Sequence, residues 1–247
     1  MTADDLERAT GAGFPPTRAS IVSGIRSPDP EVRRGAYATL VAVYWRPVYT
    51  YLRLRWGRRA HDAQDLTQEF LCRAFEQQFL STYEPTRARL RTFLRVCLDR
   101  FVHNVQRDAG RIKRGGDVEI VSMDFETAEG DLAHLDPPDP SQGEEFFERE
   151  WVRGFFALTV EALRAECADQ SKTTHFELFE RYDLDEDNVT YEDLAREHGL
   201  RATDVTNRLA WARRAFRRIA LANLRALTAS DDEFRYEARS LLGRDAV

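Results

Sequence analysis

Cysteine, methionine and lysine are scarce in this chain, and long apolar runs are absent. Three cysteines (Cys72, Cys97, Cys167) with no C-x-x-C pair supply neither a disulfide framework nor a zinc knuckle, and are expected as small buried hydrophobes. The most apolar stretch, Phe155 to Leu163, is broken by charge well short of the ~20 residues that cross a bilayer, so no membrane span is expected. The leading MTADDLERATGAGFPPTR has neither the basic n-region nor the apolar h-region of a signal peptide, which predicts a cytoplasmic protein. The histidines are scattered singly, and no HExxH, GxSxG, Walker or GxGxxG pattern occurs. No catalytic constellation, metal site or cofactor is therefore expected, and the chain reads as a protein that is not an enzyme. Asp183-Leu184-Asp185-Glu186-Asp187 opens like a calcium loop, but Asn188 stands where the loop needs Gly and Leu194 where it needs Glu.

What is present is segregated charge. The net charge of -6 argues against a nucleic-acid partner when taken over the whole chain, yet Tyr44 to Gly116 holds 15 basic against 7 acidic residues. Asp117 to Asp187 reverses this with 5 against 21, and Thr190 to Thr228 returns to 8 against 4, so two basic modules flank an acidic segment. Only Lys113 and Lys172 are lysines; every other basic residue is Arg, whose planar fork suits phosphates and guanine edges, although a GC-rich genome gives the same bias. The acidic segment is expected to mask the charge of both modules.

Helical periodicity dominates, and strand-like alternation is confined to Asp117 to Phe125, so the expected class is all-α with two helical domains joined by an acidic linker. A helix is expected from Glu31 into Trp45, with Pro47 kinking or restarting it. A second covers Asp62 to Phe79. A third covers Arg87 to Asp108, where Leu90, Leu94, Cys97, Leu98, Phe101 and Val105 form one buried stripe. The Pro- and acid-rich stretch from Gly116 to Gly143 reads as a linker. Beyond it lie an amphipathic segment from Glu144 to Cys167, a shorter helix from Thr174 to Tyr182, and then a distinctive pattern. Thr190 with Asp193 reads as an N-cap; Leu194-Ala195 leads to the turn His198-Gly199-Leu200, and a long helix starts at Ala202. A short helix, a Gly turn and a longer helix make a helix-turn-helix. On the long helix Val205, Leu209, Ala212, Phe216 and Ile219 form the apolar seam, and Thr203, Asn207, Ala210, Arg214 and Arg217 share the opposite face. In the first basic module, arginines interleave with Phe93, Phe101, His103 and Asn104, as single-strand binding requires, while Phe101 also sits in the apolar stripe and is expected in the core.

Two segments together carry a resemblance. DAQDLTQEFLCRAF (Asp62 to Phe75) and RARLRTFLRVCLDRFVHNVQRDAGRIKR (Arg87 to Arg114) resemble the polymerase-docking and −10-melting regions of sigma-70 family factors. YEDLAREHGLRATDVTNRLAWARRAFRRI (Tyr191 to Ile219) is similar to the family's −35-binding domain. The chain thus resembles a group 4, extracytoplasmic-function sigma factor of the longer variety, over about Phe14 to Leu242. The resemblance implies an N-terminal lead at 1–30, a region 2-like domain at 31–116, an acidic linker at 117–143, a region 4-like domain at 144–228 and a C-terminal extension at 229–247. It implies core RNA polymerase and promoter DNA as partners, with an anti-sigma factor or other regulator as a further one.

Carried over residue by residue, it assigns Asp62, Asp65, Leu66, Gln68, Glu69 and Phe70 to the polymerase clamp; for Leu66 and Phe70 the alternative is the chain's own core. It assigns Arg89, Arg91, Phe93, Arg95, Arg100, His103, Asn104, Arg107, Arg111, Lys113 and Arg114 to the −10 DNA, with a base of the non-template strand captured near the loop Ser81 to Arg87. Arg201, Thr203, Thr206, Asn207, Ala210, Arg213, Arg214 and Arg217 fall to the −35 duplex. The sequence departs from the family at Arg201, where relatives cap the recognition helix with Ser or Thr, at Asn207-Arg208, and at Ala19 in the lead. Two rival readings remain: a stand-alone helix-turn-helix regulator using only Tyr191 to Ile219, and a helical scaffold that binds no DNA.

Overall fold

The computed structural model of the chain describes residues 20–76, 79–107, 123–133, 142–185 and 188–243. Every regular element among them is helical, so the protein is all-α. In chain order these are α1 (Ile21–Ile25), α2 (Pro30–Leu54), α3 (Ala60–Glu76), α4 (Leu90–Arg107), α5 (Phe125–Ala133), α6 (Gly143–Asp169), α7 (Thr173–Phe179), α8 (Tyr191–Glu197), α9 (Ala202–Leu227) and α10 (Asp231–Leu242). A 3₁₀ turn at Phe79–Thr82 follows α3, and a π-helical turn at Glu180–Leu184 follows α7.

Local chemistry sets the helix starts. Asp29 accepts from the Glu31 amide at 2.9 Å and Pro30 occupies the first helical position, so α2 begins where an N-cap and a pre-set φ coincide. It then continues through Pro47 as one helix of 25 residues rather than stopping there. Proline has no amide to give Val43, and α6 covers that carbonyl with Gly154: a Cβ at Gly154 would lie 2.9 Å from the Val43 oxygen. The bend-prone position is therefore also a close seam between α2 and α6.

Two apolar clusters organise the molecule. The first gathers Tyr44, Tyr49 and Leu52 of α2, Phe70 and Leu71 of α3, and Leu90, Leu94, Leu98 and Phe101 of α4, with Phe147, Trp151 and Phe155 of α6. The second joins Leu163 and Cys167 of α6 to Phe176 and Phe179 of α7, Leu194 of α8, and Val205, Leu209, Ala212 and Ile219 of α9. Helix α6 serves both clusters, and so does α9, whose last turns place Ala220, Leu224 and Leu227 in the first. Where α6 and α9 run between the clusters, the buried Asn223 amide donates to Thr159 Oγ1 at 3.3 Å.

The region expected as a linker contains a docked helix. Phe125, Ala128 and Leu132 of α5 keep a spacing of three and four residues and face α2, where Phe125 meets Trp45 at 5.3 Å and Tyr49 at 5.0 Å. Arg53 binds Glu129, and Arg46 binds Asp131 and Glu150. Residues 117–122 and 134–141 lie outside the described residues, as does most of the lead. The extension after residue 228 is also structured: Ala238 of α10 is fully buried in the first cluster, with Phe234, Leu241 and Leu242 packed against it.

Candidate nucleic-acid interface

The helix-turn-helix forms as its sequence dictates. Thr190 Oγ1 accepts from the Asp193 amide at 3.2 Å while the Asp193 carboxylate accepts from the Thr190 amide at 3.3 Å, a reciprocal cap that starts α8. The Thr190 hydroxyl, 2.6 Å from the Asp193 carboxylate, and the Thr190 amide, with the Arg196 guanidinium adding, hold the Asp193 carboxyl below its ordinary value. The turn needs Gly199, which sits at φ +63° while the Leu200 amide reaches back to the Ala195 carbonyl at 2.8 Å. Arg201 has no acceptor with which to cap α9. Asp204 in the first turn instead accepts from the Arg201 guanidinium at 2.9 Å and 3.0 Å, and that pairing lowers the Asp204 carboxyl from its ordinary value.

With Val205, Leu209, Ala212 and Ile219 buried, the opposite side of α9 presents Thr203, Thr206, Asn207, Arg214 and Arg217 as exposed residues, with Ala210 half-buried among them. Arg213 is different. Its guanidinium pairs with Asp183 at 2.8 Å, donates to the Tyr191 hydroxyl at 3.3 Å and lies over the Tyr182 ring, so it fastens α9 to the turn after α7 and to α8. Arg201 and Arg213, both expected at DNA, are thus engaged in intramolecular pairs.

Helix α4 divides in the same manner. Arg100, His103, Asn104 and Arg107 are exposed and fall on one stripe. The preceding turns point into the molecule. Arg95 binds Glu144 of α6, and Arg91 binds Glu148 at 2.7 Å and Glu237 of α10 at 3.0 Å while its guanidinium rests on Trp151. Arg89 lies 3.7 Å from Glu237 and 3.6 Å from the ring centroid of Tyr236. Phe93 is half-buried against Tyr83 at 5.1 Å, and the Tyr83 hydroxyl donates to the Ala88 carbonyl, which closes the loop before α4. Arg111, Lys113 and Arg114 lie outside the described residues.

On α3 the residues expected at a polymerase separate by polarity. Asp62 and Asp65 are exposed, with Asp65 3.4 Å from His61, and Gln68 and Glu69 are half-buried, Glu69 holding Arg73 at 2.5 Å. Leu66 and Phe70 are 8% and 2% exposed, and Phe70 packs on Phe101 at 5.6 Å. For these two the core alternative holds: with Ala63, Leu71 and Ala74 they form the stripe that α3 turns to its neighbours, so neither is available to a partner while the helix is docked.

Sequence reasoning passed over Trp56. It lies in Arg55-Trp56-Gly57-Arg58-Arg59 between α2 and α3, with Gly57 at φ +58°. Its Nε1 donates to Asp99 at 3.0 Å and its ring meets His103 edge-on at 4.8 Å, which sets a half-buried aromatic and the exposed Arg55 and Arg59 beside the exposed stripe of α4. An aromatic among arginines in a short loop was the available signal. Glu233 and Glu237 were also passed over, because nothing near them in sequence suggests that they meet residues about 145 positions earlier.

No family model, no curated protein and no solved structure matches the chain. No helix among the described residues is long and apolar enough to cross a membrane.

Proposed function

We propose that the chain is a sigma factor of the extracytoplasmic-function type: a cytoplasmic protein without chemistry of its own that binds core RNA polymerase and directs promoter-specific initiation. The observation that carries this reading is the pairing in one chain of two outward helix faces suited to DNA. The face of α9 (Thr203, Asn207, Arg214, Arg217) follows a helix-turn-helix turn and suits a major groove. The stripe of α4 (Arg100, His103, Asn104, Arg107) offers cations and a stackable ring, with Trp56 beside it, and suits an opened strand. A stand-alone regulator needs only the first of these. The exposed acids of α3, Asp62 and Asp65, suit a basic partner surface, in this reading the polymerase clamp.

The test is to mix the purified protein with bacterial core RNA polymerase on a promoter library and sequence the transcripts. Starts that core alone does not make, sharing upstream elements near −10 and −35, are the expected result. Absence of both co-elution with polymerase and initiation would overturn the proposal, and symmetric protection of free duplex without polymerase would favour the stand-alone regulator.

A further inference from the structure

Helix α4 starts at Leu90 without a local cap, because Arg89 before it has no acceptor to offer the first free amide. The acceptor comes from the other end of the chain. Glu233 of α10, 9% exposed, accepts from the Leu90 amide at 2.9 Å and also from the Ala229 amide at 2.9 Å, with the Tyr83 hydroxyl 3.5 Å away. One turn on, Glu237 is 2% exposed and meets Arg91 at 3.0 Å and Arg89 at 3.7 Å, while Tyr236 covers the Arg89 guanidinium. Two carboxylates therefore sit on a helix N-terminus and two arginines, an arrangement of donors that also suits phosphodiester oxygens.

We propose that α10 is an intramolecular mimic of the DNA backbone that occupies the N-terminal end of α4, and that a −10 strand reaches Arg89 and Arg91 only by displacing it. This rests on the DNA-binding reading of α4. In the free chain the exposed stripe from Arg100 to Arg107 stays open for first contact, and the end nearest the base-capturing loop is closed. The latch is built to release. Ala238 is its one fully buried apolar side chain among the described residues of α10, with Phe234, Leu241 and Leu242 only partly buried, and the rest of its hold is ionic or a contact of an exposed ring, whereas α2 and α6 are joined by the buried Tyr51, Phe147, Trp151 and Phe155.

The experiment uses the full-length protein and a fluorescein-labelled, A·T-rich single-stranded 20-mer, read by anisotropy, with amide hydrogen exchange across the chain. Tyr236→Ala removes a ring that is 51% exposed and frees Arg89, and is expected to tighten binding about 2–5-fold. Glu237→Gln keeps the shape and removes the charge, and is expected to tighten binding about 3–10-fold while α10 amides exchange faster and those of α2 and α6 do not. Adding the oligonucleotide to the unaltered protein should speed exchange in α10, and Arg89→Ala should cancel the gain from Tyr236→Ala. Faster exchange in α10 with unchanged affinity would overturn the latch and leave α10 as a buttress of the fold. If Glu237→Gln loosens the whole molecule, Tyr236→Ala decides alone, and unchanged affinity there overturns the proposal. Failure of every form to bind the oligonucleotide would instead overturn the DNA-binding reading on which the latch rests.

Discussion

Replacing Gly154 by alanine puts a methyl group where α6 meets the backbone of α2. The new Cβ would lie 2.9 Å from the Val43 oxygen, 3.4 Å from its Cα and 3.5 Å from its carbonyl carbon, none of which is the end of a flexible side chain. Carbon–oxygen contacts between packed helices settle at about 3.3–3.6 Å, so the two helices must part by roughly half an ångström. Overpacking of this kind costs about 1–3 kcal/mol. Alanine returns about 1 kcal/mol through its better helix propensity, which leaves a net loss of up to about 2 kcal/mol. In a chain of this length that lowers Tm by up to about 8 °C. Gly35→Ala is the control, because Gly35 is also helical, is exposed and has nothing within 4 Å of the place its new methyl group would take. It should raise stability by about 0.5–1 kcal/mol. Thermal melts by far-UV circular dichroism and urea titrations of both variants measure the two signs. If Gly154→Ala raises stability as Gly35→Ala does, α6 does not seat on the carbonyl that Pro47 leaves without an amide.

The burial of Leu66 and Phe70 separates two readings of α3. Leu66→Ala and Phe70→Ala should cost about 2–5 kcal/mol in urea titrations, whereas Asp62→Ala with Asp65→Ala should leave stability within about 0.5 kcal/mol and weaken co-elution with core polymerase. On α9, Arg214→Ala should weaken promoter-duplex binding by about 1–3 kcal/mol if it reads a base, measured by anisotropy. Arg213→Ala should instead lower stability and leave the affinity of the folded protein close to unchanged, because its partners are Asp183 and Tyr191. Acid should release α5 before the rest. The hydrogen bond from Arg53, aided by that from Tyr49, holds the Glu129 carboxyl below the ordinary 4.5. Its contribution is therefore complete above about pH 4.5 and is lost as pH falls through the depressed folded value, which rate-corrected protection of α5 amides will follow.

Periodicity carried the helical class, and cap chemistry carried the start of α8, because both are local. Thr190 and Asp193 are three residues apart, and Gly199 follows directly where a left-handed turn is needed. The stripe Leu90, Leu94, Leu98, Phe101 on α4 was equally legible and is buried. What was not legible depends on long-range pairing. Acid and proline content made 117–143 look like a linker, yet three apolar residues suffice to dock α5 once Trp45 and Tyr49 are presented by α2. Arg89, Arg91 and Arg95 read as a cationic face because their partners, Glu144, Glu148 and Glu237, lie about 50 to 150 positions away. Arginine spacing gives the face of a helix and says nothing of the acid that another helix brings to it.

That distinction changes how the segregated charge acts. Counted along the chain, the first basic module carries a large positive excess and the acidic segment a larger negative one, which suggests two opposed fields. Folding brings many of them together: Glu129 on Arg53, Asp131 and Glu150 on Arg46, Glu144 on Arg95 and Glu148 on Arg91. Paired charges a few ångströms apart cancel beyond a Debye length of about 8–10 Å, so an approaching phosphate responds chiefly to the cations of the outer stripes. Those include Arg100 and Arg107 on α4 and Arg214 on α9, all exposed. The acidic segment therefore masks by neutralising particular arginines in place, and it does so where α5 and α6 dock. Under the proposed reading the two ends of α4 differ in kind: one is open to DNA at once, and the other answers to a carboxylate that must first leave.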